Sequence, residues 1–406
     1  MDQETASAPA SAPSDPASAL SEPASAPCEP ASAPSGAWYA RPAARAWTCA
    51  PPPPDAWHFH TSLAGYAPTK LHELPALARE FGVSRVFVKD ESTRFGLPAF
   101  KALGASWAID RIVARHTDGS SAASAGTPLR LVTATDGNHG RAVARLARRF
   151  GRRALVFVPD GVHPSAVAAI EGEGAEVTAV PGSYDAAVRR AAQAAQAPGS
   201  VLVQDMAWEG YEEIPALIVE GYETLFAEVD AQLGAAGAPS PALVAVPVGV
   251  GSLAQAAVTH YRGRAASGPA SASASGDAPS AVLSVEPVTA AGVLASLRAG
   301  ALTTVPTGVT TMAGLNCGTP SALAWPVLRD GLDAAVAVTD ADTARAARDL
   351  AELGVSSGPC GAASLAGVRA ALTGGDAAGR RAALGVGPAS TLVLVSTEGA
   401  DANPQA

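Results

Sequence analysis

The stretch ALVAVPVGVGSLA (242–254) is a run of small and branched apolar residues that breaks at two glycines and resumes as helix-forming sequence. Seven apolar residues without polar alternation read as a strand buried on both faces, the mark of a parallel sheet covered by helices. Gly249 and Gly251 allow a tight turn, and Ser252-Leu253-Ala254 opens a helix. The same grammar recurs along the chain. Strand-like runs stand at VFVK (86–89), RLVTAT (130–135), ALVFV (154–158), VTAV (177–180), VLVQ (201–204), AVLSVE (281–286) and TLVLVS (391–396). Amphipathic segments separate them; in HGRAVARLARRF (139–150), Val143, Leu146, Ala147 and Phe150 share one face and arginines the other. The pattern predicts an α/β fold whose ligand lies beyond the carboxyl ends of the strands.

Composition narrows the function. The chain has 406 residues, enough for two or three domain-sized units, and is 48% hydrophobic and 16% charged, so it can bury a large core. Twenty-eight Lys and Arg against 37 Asp and Glu leave a net charge of −9. That balance argues against a nucleic-acid partner or a polybasic membrane surface, both of which need clustered cations. No apolar run approaches the roughly 20 residues that span a bilayer, and the acidic opening MDQETASAP has no apolar signal core. A cytoplasmic protein is expected. Cys28, Cys49, Cys317 and Cys360 are far apart, with no C-x-x-C pair, so neither a disulfide framework nor a metal site is expected.

An S-E/D-P-A-S-A-P theme repeats to about residue 36, and the proline-rich run closes at Pro51 to Pro54. Residues 1–54 are therefore expected to form a disordered tail. RAASGPASASASGDAPS (264–280) reads as a flexible insertion, and a shorter stretch of the same kind covers 118–128.

Arg serves almost everywhere as the cation; Lys70, Lys89 and Lys101 are the only lysines. Lys can lose its proton and form an imine, and Arg cannot. A single Lys is ordinarily a solvated surface charge. Lys101, however, sits in RFGLPAFKALGASWA (94–108), where Phe100, Leu103 and Trp107 point to a desolvated ammonium. The turn TATDGNHGR (133–141) places Asp136, Asn138 and His139 at a strand end, and VQDMAWEGYE (203–212) places Asp205 at another, with Trp208 as a candidate apolar wall. Asp and Asn in such turns often only cap helices. The glycine turn 249–253 could cradle a phosphate on backbone amides. It is also a G-x-G-x-x-A dinucleotide fingerprint, for which Glu286 could supply the ribose-binding acid.

Taken together, VKDESTRFGLPAFKALGAS (88–106), ATDGNHGRAVA (134–144), QDMAWEGYEEIP (204–215), VPVGVGSLA (246–254), TTMAGLNCGTPS (310–321) and VSTEGADANP (395–404) resemble the fold-type II pyridoxal-phosphate enzymes, and more narrowly the diaminopropionate ammonia-lyases. The resemblance implies two doubly wound domains with parallel or mixed sheets: a large cofactor-binding domain from 55–107 and 213–406, and a smaller one from 108–212. It implies pyridoxal 5'-phosphate as cofactor, a small amino acid as substrate and a homodimer. Lys101 would hold the cofactor covalently, Phe100 would pack near its ring, and Asn138 would bind its phenolic oxygen. Gly249, Val250, Gly251, Ser252 and Leu253 would cradle the phosphate, and Ser396 would face the pyridine nitrogen. Asp136 and Asp205 correspond to two general bases, for the D- and L-isomer of 2,3-diaminopropionate, which the family eliminates to pyruvate and ammonia. Departures from the family pattern are Pro98 in place of Asn and Ser356 in place of Glu. The alternatives are a lyase acting on serine, threonine or another β-substituted alanine, an NAD(P)-dependent oxidoreductase using the glycine turn, and a non-enzymatic relative.

Overall fold

A computed structural model describes residues 34, 36–117, 128–266 and 279–402. Its strands are β1 (Trp38–Ala40), β2 (Lys70–Glu73), β3 (Arg85–Asp90), β4 (Arg130–Ala134), β5 (Arg153–Pro159), β6 (Glu176–Val180), β7 (Ser200–Leu202), β8 (Leu243–Pro247), β9 (Ala281–Pro287), β10 (Ala334–Val338) and β11 (Thr391–Ser396). They form two sheets, one of seven strands in the order β1-β10-β9-β8-β11-β3-β2 and one of four in the order β6-β5-β4-β7. The five central strands of the larger sheet run parallel, and β1 and β2 close its edges antiparallel. The smaller sheet is parallel throughout.

Every residue of β8, β9, β10 and β11 is buried, as uninterrupted apolar runs require. The helix Pro359–Leu372 lies against this sheet so closely that a Cβ on Gly367 would come within 2.3 Å of the Val285 side chain. The helices Lys101–Thr117 and Glu213–Ala235 meet in the same way. A Cβ on Gly221 would stand 2.7 Å from the Gly104 Cα, so these two glycines set the spacing between the helices. The chain passes from β8 outward to β9 and β10, whereas β11 and β3 lie on the other side of β8. That reversal opens a crevice at the carboxyl ends of β8 and β11, the usual ligand position in wound sheets.

All eight strand-like runs read from the sequence are strands. The smaller sheet falls within 108–212, and the larger draws all its strands from outside that range. Three strands carry too little sequence signal: β1 is only three residues long, β2 (KLHE) is a polar edge strand and β10 (AAVAV) is mostly alanine.

The tail boundary at 54 does not hold. Residues 36–54 are ordered because they carry bulky side chains. Trp38, Tyr39 and Ala40 pair with Val336, Ala335 and Ala334, and Arg380 lies 5.1 Å over the Trp38 ring. Trp47 fills the space beside Gly331, and Pro51 does so beside Gly263. Residues 1–33 and most of 118–128 and 264–280 lie outside the described residues. Among the described residues no helix is long and apolar enough to cross a membrane.

Candidate active site

Five strand ends converge on one cleft. β3 leads through a loop to Phe100 and Lys101, and β4 to Asp136, Asn138 and His139. β7 leads to Asp205, β8 to Gly249–Leu253, and β11 to Thr397 and Glu398. All these residues line the cavity, together with Tyr184, Tyr222, Cys317 and Cys360.

Lys101 opens its helix and pairs with the Asp205 carboxylate. Burial alone would lower the Lys101 pKa; the adjoining Asp205 outweighs it and holds the ammonium above its ordinary value. Burial pushes Asp205 up, but Lys101 outweighs that too, and the carboxyl lies below its usual range. Asp136 differs. Burial raises it to about 7, with the Lys101 charge pulling only partly back. One cleft therefore holds two carboxyl groups of unlike proton affinity, as acid–base sites require.

Backbone geometry supplies the rest. Thr135 Oγ1 accepts from the amides of Gly137 (2.9 Å) and Gly140 (3.0 Å), which fixes the turn that carries Asp136 and Asn138. Gly251 has a φ of +98°, and a Cβ on Gly249 would lie 3.0 Å from the Gly314 carbonyl oxygen. The turn can be built only with glycine at 251, and at 249 the space that a side chain would take belongs to the cleft wall. The first amides of the helix Ser252–Ala266 have no carbonyl four residues back within the helix, so they face the cleft as anion donors. Ser252 Oγ instead donates to the Asp205 carbonyl at 2.6 Å, tying the turn to the β7 loop.

Several residues here were not legible as site residues. Glu398 accepts from Asn138 Nδ2 at 2.5 Å and from the Cys360 amide at 3.1 Å. Gln204 Oε1 accepts from the Ala134 amide (3.1 Å) and Thr133 Oγ1 (3.0 Å), and its Nε2 donates to the Tyr184 hydroxyl at 2.5 Å. His139 Nε2 donates to the Val203 carbonyl at 2.8 Å, which leaves Nδ1 as a buried acceptor. No short sequence window contains these pairings, because each joins residues 20 or more positions apart.

Other placements change. Ser396 does not line the cleft; it is buried, 2.8 Å from Ser357 Oγ. The hydroxyl reaching the cavity from β11 is that of the next residue, Thr397, and its Oγ1 is buried with no protein partner among the described residues. Ser356 is exposed, and the carboxylate at this end of the cleft is Glu398. Trp208 stacks on Tyr211 (centroids 4.5 Å apart) behind the cavity instead of walling it. Lys89 is buried in a network of its own, bonded to Glu228 (2.5 Å), Gln232 (2.9 Å) and the Thr69 carbonyl (2.9 Å), and is no imine candidate. Glu286 is likewise consumed: its oxygens accept from the Val293 and Leu294 amides at 2.7 and 2.8 Å. It caps the helix Gly292–Ala299 and cannot hold a ribose, which removes the dinucleotide reading.

The donor set fits pyridoxal phosphate. The glycine turn suits a phosphate, Asn138 a phenolate oxygen, and the unpartnered Thr397 hydroxyl a ring nitrogen, and Lys101 is an amine within the same cavity. Comparison with known proteins agrees. The family model described as pyridoxal-phosphate dependent enzyme matches residues 63–386. A diaminopropionate ammonia-lyase of Salmonella typhimurium strain LT2 is 38% identical over 306 residues, 71% of this chain and 73% of that protein. The protein of that name from Escherichia coli K12 is 38% identical over 283 residues, 67% of this chain and 68% of its own. The crystal structure of diaminopropionate ammonia lyase from Escherichia coli, in complex with an aminoacrylate–PLP azomethine reaction intermediate, superposes with a TM-score of 0.75. It is 33% identical, covering 85% of this chain and 88% of that one. With the lysine, both aspartates and the glycine turn gathered in one cleft, the chain belongs to the pyridoxal-phosphate-dependent enzymes and, within them, to the diaminopropionate ammonia-lyases.

Proposed function

We propose that the protein converts both enantiomers of 2,3-diaminopropionate, with one water, to pyruvate and two molecules of ammonia. The observation that carries this reading is the pair of carboxyl groups, Asp136 and Asp205, lining the cleft that holds Lys101. When bound, pyridoxal phosphate supplies the electron sink that makes the substrate Cα–H acidic. The chain's own residues do the rest. Lys101 attaches the cofactor, Phe100 packs beside it, and the Gly249–Leu253 amides hold its phosphate. Asn138, oriented by Glu398, meets its phenolic oxygen. Thr397, in place of Ser396, gives the pyridine nitrogen a neutral hydroxyl, which cannot protonate the ring as a carboxylic acid would. Asp136 takes the Cα proton of the D-isomer and Asp205 that of the L-isomer. The same resemblance supports a homodimer working in the cytoplasm.

The test is to incubate the holoenzyme with D- and L-diaminopropionate, D- and L-serine and threonine, and to measure keto acid and ammonia. Two ammonia per pyruvate from both diaminopropionate isomers, at rates well above the hydroxy amino acids, is the expected result. Preference for serine or threonine would move the protein to a neighbouring lyase. In parallel, Lys101→Ala should lose the borohydride-reducible visible band; retention of that band would overturn the assignment of Lys101.

A further inference from the structure

Tyr222 follows Gly221 on the helix Glu213–Ala235, at the point where that helix touches Lys101–Thr117. The close approach puts its ring against the start of the Lys101 helix: a Cβ on Gly104 would lie 2.6 Å from Tyr222 Cε1, and the Phe100 ring centroid is 4.8 Å away. Tyr222 is fully buried and lines the cleft, and its hydroxyl has no hydrogen-bond partner among the described residues. A buried orphan hydroxyl destabilises a protein, and Phe would fill the same space without that penalty. The oxygen is useful only if some state of the enzyme brings it a partner.

Lys101 provides such a state. In the present arrangement its amine is held by Asp205. A carboxylate engaged by an ammonium is a weak base, so Asp205 can take a proton from substrate only after another group has drawn the amine away. The Tyr222 hydroxyl is uncommitted and packs from the Lys101 side. We propose that Tyr222 is a positioning residue that receives the Lys101 amine once substrate has displaced it from the cofactor, releasing Asp205 to act as base. The proposal rests on the assignment of Lys101 and Asp205 given above.

Borohydride reduction of the wild-type holoenzyme comes first. Cofactor fixed on Lys101 upholds that underlying assignment; cofactor fixed elsewhere removes it, and Tyr222 with it. Once it is upheld, Tyr222→Phe bears on Tyr222 alone. The cofactor-free variant should melt at the same temperature as wild type or higher, since it loses an orphan and no bond. Pyridoxal phosphate should regenerate the visible band at the wild-type rate, because in both cofactor-free proteins the amine starts on Asp205. Saturated turnover of the L-isomer should fall about ten- to hundredfold, the scale of one hydrogen bond to a charged group, while turnover of the D-isomer falls less than about threefold. A lowered melting temperature would show that the hydroxyl already has a structural partner. Equal losses on both isomers, unchanged turnover of the L-isomer, or slowed band formation would show that Tyr222 does not act on the amine displaced by substrate. Each of these results overturns the proposal.

Discussion

Lys101 and Asp205 form an ion pair inside the cleft, whereas Asp136, lining the same cavity, makes no ion pair among the described residues. Both carboxyl groups are pushed upward by burial, and only Asp205 has the compensating ammonium against it. This asymmetry separates two groups that composition alone would treat as equivalent.

The two isomers should accordingly differ in pH dependence. Asp136 rises from 3.8 to about 7 through burial, and a carboxyl group must be ionised to act as base. Turnover of the D-isomer should therefore fall as pH drops through about 7, and that of the L-isomer only at lower pH. Attaching Lys101 to the cofactor removes the charge that lowers both groups, so both midpoints move up, and Asp205 keeps the backbone hydrogen bond that lowers it. Rate profiles from pH 5 to 9 on each isomer check this; coincident midpoints would contradict it. Stability has the opposite sign. Below 3.8 the group is protonated in both states; between about 4 and 7 the native cofactor-free protein keeps a proton that the unfolded chain has released, so its stability declines as pH rises through that window.

Substitution of the two bases should divide by stereochemistry. Asp136→Asn is expected to lower turnover of the D-isomer by about 10²- to 10⁴-fold, the usual range for a general base, and to leave the L-isomer within about fivefold of wild type. Asp205→Asn should do the reverse. Coupled assays of pyruvate on each pure enantiomer decide the point, and equal losses would refute the two-base division.

Neighbouring hydroxyls on β11 should also separate. Thr397→Val removes the unpartnered oxygen that lines the cleft and is expected to shift the visible band and weaken cofactor binding about tenfold or more. Ser396→Ala breaks only the 2.8 Å contact with Ser357 and should leave the band in place. Cofactor titration with absorbance detection distinguishes the two.

Glu228 joins Lys89 and Arg94 in a network with no exposed side-chain surface. Removing one member strands the others, and breaking a buried pair typically costs about 3–5 kcal/mol. Glu228→Ala should lose about that much in urea unfolding. The cofactor should still attach to Lys101, because Lys89 lies outside the cleft.

The layered fold was legible because its signal is local. Buried strands such as TLVLVS and glycine turns such as GVGS declare themselves within a few residues. AAVAV was missed because alanine carries little strand preference and is buried here only by its neighbours. The site was legible where a motif contains its own chemistry, as at Lys101, Asp136 and Asp205. Gln204, Tyr184, Tyr222 and Glu398 were not, since each gains its place from a partner between 20 and more than 250 residues away or from a helix contact. Ser396 illustrates the residual error: successive residues at a strand end point in opposite directions, and a motif cannot say which of two adjacent hydroxyls faces the ligand.

The burial of Lys89 has a practical side. With its amine held by Glu228 and Gln232 at zero exposure, an aldehyde seeking a lysine side chain has two choices in the whole chain, Lys70 on the surface and Lys101 in the cleft. Background labelling thus reduces to a single identifiable peptide. With Lys70 exchanged for arginine, the intensity of the cofactor's colour would count intact clefts, one per chain, without a separate assay.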